Sequence, residues 1–288
     1  MILITSANGK TGHALMAALS ERGLEFRAMT RSDTSLARLS ERGAADVVVG
    51  DLRNREDVAR ACDCIEVAYF ITPNFSPDES VMADNLIDVC SNKGVRVVLH
   101  SVIHPQIQGL PHHWSRLLVE EKVINSYLDW VVLQPTTYMQ NITPQLATVR
   151  EVRELKMPIP IDRALSMVDL DDIAEVAAAV LTDRRYDFGV FELCGEPVTL
   201  AEQAEIVGRL TGEDIRARTF DTGDANAELE IPFVGDYGRE TTAKMYAHYA
   251  SHGLRGNTRV LAVLLDRMPT CYEAFAEREL TRLGVLVS

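Results

Sequence analysis

A chain of 288 residues, 47% hydrophobic and 25% charged, has ordinary globular composition, which argues against disorder, collagen-like repeats and coiled coils. Its formal net charge of −13, with no basic block, opposes direct nucleic-acid binding, so any anionic ligand has to be held locally. Five scattered cysteines, Cys62, Cys64, Cys90, Cys194 and Cys271, read as free thiols in a reducing, cytoplasmic setting; Cys62-x-Cys64 lacks the second pair that a zinc site needs.

The short apolar start, Met1–Thr5, lacks the basic flank of a signal peptide and reads as a buried strand, and no run is long enough to span a membrane. In chain order, strands are predicted over Ile2–Thr5, Glu25–Thr30, Asp46–Val49, Val67–Ile71, Val95–His100 and Trp130–Gln134, each without internal proline. Between them Gly12–Arg22, Ser35–Arg42, Arg53–Cys62, Pro77–Lys93 and His113–Tyr127 carry apolar residues at three- and four-residue spacing and are predicted helices. Repeated βα units of this kind build an α/β fold with a Rossmann-type doubly wound parallel sheet, whose ligand lies past the C-terminal ends of the strands. Residues 1–150 are therefore expected to form an NAD(P)-binding Rossmann domain.

Beyond Asn141 the pattern loosens. Met157-Pro158-Ile159-Pro160 is extended, a helix runs from Leu170-Asp171-Asp172 to Leu181, Phe191–Gly195 is a short strand, and Thr199 caps a helix ending at Leu210. Residues 220–240 are poorly patterned, with helices expected near 241–253 and 270–283. Residues 151–288 thus read as a smaller C-terminal α+β region, interleaved with the first part, that meets a substrate or partner.

The first strand runs into Ser6-Ala7-Asn8-Gly9-Lys10-Thr11-Gly12 and then a helix, the context in which a dinucleotide loop has meaning. Small residues there let the backbone approach a pyrophosphate, the helix N-terminus offers N–H groups, and the last glycine lets helix pack on strand. A Walker A reading of Gly9-Lys10-Thr11 fails, because Ile4 stands where that motif needs glycine. The second strand ends in Thr30-Arg31-Ser32, where NAD-preferring folds place an acid; Arg31 suits a 2′-phosphate, so NADP(H) is favoured over NAD(H). Asp51, in Gly50-Asp51-Leu52 after the third strand, is either an adenine-amine acceptor or the cap of the next helix.

Together these residues resemble the NmrA-like branch of the atypical short-chain dehydrogenase/reductases, over roughly residues 1–215. Ser6, Gly9 and Gly12 occupy the family's three glycine positions, serine being a departure at the first. The resemblance makes Arg31, Asp51, Leu52, Thr72 and Pro73 contacts to ribose phosphate, adenine and the cofactor wall, and it places the backbone of Leu133-Gln134-Pro135 near a nicotinamide. Tyr138-Met139-Gln140-Asn141, Val168–Ala174 and Phe191–Gly195 resemble further landmarks. The wider superfamily uses Tyr-x-x-x-Lys for proton delivery, whereas this chain has His112-His113-Trp114-Ser115-Arg116, putting His112 and Arg116 at those places. Arg116 suits a ribose or carboxamide oxygen but not a proton relay. His112 is either a proton donor or a surface residue of a helix start, Ser101 a substrate-positioning serine or a cap, and Tyr138 a second donor or a packing residue.

The implied function is an NADP(H)-dependent oxidoreductase that transfers hydride to a small carbonyl, quinone, enone or imine. The alternative is a non-enzymatic NADP(H) sensor with a regulatory protein partner; a homodimer fits either, and a lyase or isomerase using His112 or His113 is a third option.

Overall fold

The computed structural model describes residues 1–228 and 235–286; of the poorly patterned 220–240 stretch, residues 229–234 lie outside the described residues. The strands are β1 Ile2–Ile4, β2 Phe26–Thr30, β3 Asp46–Val49, β4 Val67–Phe70, β5 Arg96–His100, β6 Trp130–Pro135, β7 Thr137–Tyr138, β8 Glu154–Met157, β9 Leu165–Val168, β10 Gly189–Leu193, β11 Pro197–Val198 and β12 Arg216–Thr219. The α-helices are α1 Lys10–Glu21, α2 Leu36–Glu41, α3 Arg55–Ala61, α4 Glu79–Lys93, α5 Pro111–Ile124, α6 Thr143–Ala147, α7 Val149–Val152, α8 Leu170–Thr182, α9 Leu200–Thr211, α10 Ala225–Glu228, α11 Gly235–His252, α12 Thr258–Leu265 and α13 Tyr272–Arg282.

Seven strands form one sheet in the order β10-β6-β5-β4-β1-β2-β3. Strand β1 pairs in parallel with both β2 and β4, Leu3 standing opposite Arg27 on one side and Ala68 on the other. The order reverses at β1, as a doubly wound sheet requires. Strands β4, β5 and β6 are buried along their whole length, which is why Val67–Phe70, Val97–Leu99 and Trp130–Leu133 are consecutive apolar residues rather than alternating ones. One core cluster joins Leu3, Phe70, Leu99 and Val132 of the sheet to Leu86 of α4 and Val119 of α5. The expected Rossmann-type α/β fold is therefore present.

The chain divides into two compact units. The first comprises Met1–Gln108, His113–Pro135 and Leu170–Phe191, and the second comprises Gly109–His112, Thr136–Asp169 and Glu192–Ser288. The segment containing α8 thus returns to the first unit. Arg96, at the start of β5, makes that return possible: its Nε donates to Asp187 at 2.5 Å and its Nη1 to the Val180 carbonyl at 2.7 Å. Trp130 and Phe188 add an edge-to-face contact, and the Phe188 N–H donates to the Trp130 carbonyl. Helix α8 itself packs on α1.

In the second unit β11, β9 and β7 form a three-stranded sheet, and β12 pairs in parallel with β8. Thr199 caps helix α9 as expected, and it does so in a reciprocal capping box with Glu202.

Gly12 positions the site. A Cβ there would lie 2.4 Å from the Ala7 carbonyl oxygen, so α1 meets the preceding turn only because this position lacks a side chain. Gly12→Ala is expected to destabilise the protein by about 2 kcal/mol or more, measured as a lower denaturation midpoint in urea; an unchanged midpoint would contradict the close approach.

Candidate dinucleotide site

At the C-terminal ends of β1, β2 and β3 the first unit holds a cavity of about 330 Å³, lined by Ser6, Asn8, Gly9, Met29, Thr30, Arg31, Ser32, Gly50, Asp51, Leu52, Pro73 and Met82. It brings together Ser6, Asn8, Gly9, Arg31, Asp51, Leu52 and Pro73 from the residues singled out in the sequence. Lys10, Thr11 and Gly12 form the first turn of α1 beside it. No side chain caps that helix at Gly9, so its N-terminal N–H groups remain suited to an anion. A glycine-dependent cradle and an uncapped helix terminus fit a pyrophosphate.

Ser6 has φ of +47°, in the left-handed region that favours glycine. The family's glycine at this place thus has a backbone reason, and serine retains the same turn under strain.

The Asp51 carboxylate is engaged by Arg53, whose Nη2 donates at 2.6 Å and whose backbone N–H donates at 2.9 Å. These hydrogen bonds from Arg53 hold the Asp51 carboxyl below the usual carboxylate range. It does not cap α3: Asn54 does, accepting from the Glu56 N–H.

Arg38 was not apparent as a site residue in the sequence, yet its Nη2 donates to Asn8 Oδ1 at 2.5 Å, placing a second guanidinium at the loop that lines the cavity. The available signal was its place on α2, the helix that follows the Arg31 loop.

Further along the sheet, past β4, the first unit buries a polar group. The Ser101 hydroxyl donates to Glu120, and Gln134 Nε2 donates to both Glu120 oxygens at 2.9 Å. Ser101 is 5% exposed. With its proton held by Glu120, its oxygen is left as an acceptor. Burial pushes the Glu120 carboxyl above its ordinary range, against the opposing pull of Ser101, Gln134 and Arg116. Arg116 is 2% exposed and lies 3.5 Å from Glu79, itself 1% exposed. Thr72 is buried next to these residues rather than lining the cavity, and Pro135 is buried with its carbonyl accepting from the Ile103 N–H. Tyr69 and His100 share a 2.5 Å hydrogen bond; burial and then Arg116 bring the His100 pKa down to about 3, so the ring is neutral. His112 and Tyr138 are half-buried and belong to the second unit.

Residues 6–184 match the family model described as NAD(P)H-binding, and the chain belongs to that family. The NAD(P)H azoreductase of Xenophilus azovorans is 28% identical over 219 residues, covering 75% of this chain and 76% of that protein. The NADPH-dependent quinone oxidoreductase of Escherichia coli, solved with NADPH, superposes with a TM-score of 0.82 at 20% identity, covering 96% of this chain and 99% of that one. A double mutant of NmrA superposes with a TM-score of 0.79 at 16% identity, covering 96% of this chain and 94% of that one. The NmrA-like resemblance read from the loops is thus matched in the fold. Among the described residues no helix is long and apolar enough to cross a membrane.

Two outcomes follow. Ser6→Gly relieves the left-handed serine and is expected to raise stability by about 1 kcal/mol, read from chemical denaturation; a loss would show that the serine hydroxyl outweighs its strain. Because burial raises the native Glu120 pKa, the native state binds more proton than the unfolded state only between the ordinary carboxylate pKa and the raised native one, and this group's contribution to stability falls as pH rises through that window. Glu120→Gln should therefore flatten the pH dependence, raising stability more at pH 8 than at pH 4.5; an equal change at both would refute the assignment.

Proposed function

We propose that the chain is a cytoplasmic, NADPH-preferring reductase that passes hydride to a small conjugated acceptor such as a carbonyl, quinone, enone, imine or azo compound. The observation that carries this reading is the cavity joining the phosphate loop to Arg31 and, through Asn8, to Arg38, a local group of cations in a protein of net charge −13. Five thiols without a disulfide among them support a reducing compartment. The azoreductase and quinone oxidoreductase relatives support the reductase class.

Bound NADPH supplies the hydride, and one proton completes the two-electron reduction of the acceptor's double bond. The residues of this chain bind and orient. Arg31 and Arg38, with Ser32, meet the 2′-phosphate, while the backbone of Gly9, Lys10 and Thr11 at the start of α1 meets the pyrophosphate. Asp51, Leu52, Thr72 and Pro73 form the adenine side and the wall. Arg116 holds a ribose or carboxamide oxygen near the Pro135 backbone. His112 delivers the proton, with Tyr138 as the second donor, and Ser101 accepts a hydrogen bond from the substrate side. Residues 151–288 select the substrate, and a homodimer is compatible with this arrangement.

One feature favours a second reading as an NADP(H) sensor with a regulatory partner. The superfamily's lysine position holds Arg116, a fixed cation already paired with Glu79 and unable to relay a proton.

Calorimetric titration with NADPH, NADP+, NADH and NAD+ tests the cofactor assignment. Arg31→Ala and Arg38→Ala are each expected to weaken NADPH binding about tenfold or more, leaving NADH unchanged. Equal losses for NADPH and NADH would remove the 2′-phosphate assignment. Oxidation of NADPH on addition of an azo dye or quinone supports the reductase; no turnover across such a panel, with unequal NADP+ and NADPH affinities, supports the sensor.

A further inference from the structure

Glu79 opens α4 with Met82, Ala83 and Leu86 on its own buried face, a position where an apolar residue would cost nothing to bury. Its carboxylate gathers donors from a second helix instead. Ser115 Oγ donates to Oε2 at 2.8 Å, and Arg116 Nη2 lies 3.5 Å from Oε1. Burial raises the Glu79 pKa, with Arg116, Ser115 and the Thr72 hydroxyl pulling the other way. The pair is poorly arranged as a stabilising device: Arg116 uses one nitrogen at long range, while its Nε and Nη1, both buried, have no hydrogen-bond partner among the described residues. An arginine buried to this extent with two idle donor nitrogens is a net cost unless an acceptor reaches it.

The sheet order indicates which acceptor. The cavity residues that would take the adenosine half lie at the ends of β2 and β3, on one side of β1, and its far limit is Pro73 and Met82. Thr72 adjoins Pro73, Glu79 is one turn before Met82, and Arg116 is on the helix after β5, so this group lies beyond the switch point on the other side of β1. A dinucleotide running across β1 brings its nicotinamide half there.

We propose that Glu79 is a positioning residue. It fixes Arg116 from one side so that the guanidinium's Nε and Nη1 face an acceptor oxygen of the nicotinamide half. The proposal rests on the cofactor reading given above and is independent of whether the chain catalyses reduction.

The test compares NADPH with adenosine 2′,5′-bisphosphate, which carries the adenosine half alone, by calorimetric titration. Glu79→Gln and Arg116→Met are each expected to weaken NADPH about tenfold, and the double variant to lose no more than either single one, because both remove the same contact. The bisphosphate should bind all three variants within about twofold of the unaltered chain. A merely structural role would loosen the wall and weaken both ligands together, and that outcome overturns the proposal, as do additive losses. If Glu79→Gln fails to fold, Arg116→Lys keeps the buried charge balanced but removes the fork, and the same selective loss is expected. An unaltered chain that binds no NADPH defeats the cofactor reading and this proposal with it. Unchanged NADPH affinity in folded variants defeats the proposal alone.

Discussion

The close approach of α1 to the turn after β1 sets the geometry of the first unit. With no side chain at Gly12, the helix terminus comes down onto Ala7, and the loop from Ser6 to Lys10 has to curl over the end of the sheet. That curl uses a left-handed backbone at Ser6 and leaves the helix start without a side-chain cap. The same compression therefore produces both the strain and the anion-binding surface, a common association of strain with ligand sites. Arg31 and Arg38 are then placed by the next βα unit, whose β2 pairs directly with β1.

A second constraint acts through buried charge. Helices α4 and α5 cover the sheet with apolar stripes interrupted by Glu79, Arg116 and Glu120. In water these would be ordinary surface residues; here each is almost fully buried and its environment shapes the others. Arg116 stabilises two carboxylates that burial opposes, and it helps keep His100 neutral. Such a group costs stability relative to a hydrophobic substitute, which points to specificity rather than strength as its contribution.

Much of this was legible in the sequence because strands buried on both faces leave continuous apolar runs. All six strands expected in the first half occur, with ends shifted by one residue or so, since the frayed ends carry little pattern. The phosphate loop was legible because its glycines stand between a strand and a helix. Strands β7, β9 and β11 were not, since two- and four-residue segments have too few positions to show a period and are fixed by pairing with distant partners. Ser101 and Arg116 could be placed on their elements, but not their partners: Glu120 and Glu79 are nineteen and thirty-seven positions away and meet them only once the helices pack. The charges on the buried faces of α4 and α5 were the available sign, since Glu79 and Arg116 fall in register with apolar neighbours.

The return of Leu170–Phe191 to the first unit bears on how the protein is made. Strand β6 is buried along its whole length and apolar from Trp130 to Leu133, and its outer edge pairs with β10. A nascent chain that has emerged only to residue 150 already contains β1 to β6 but neither α8 nor β10, so it presents an unpaired hydrophobic edge of the kind that recruits other strands. The interval between synthesis of β6 and β10 is therefore the period in which chaperone protection matters most, and a fragment truncated at a seemingly natural domain end would keep that vulnerable edge permanently.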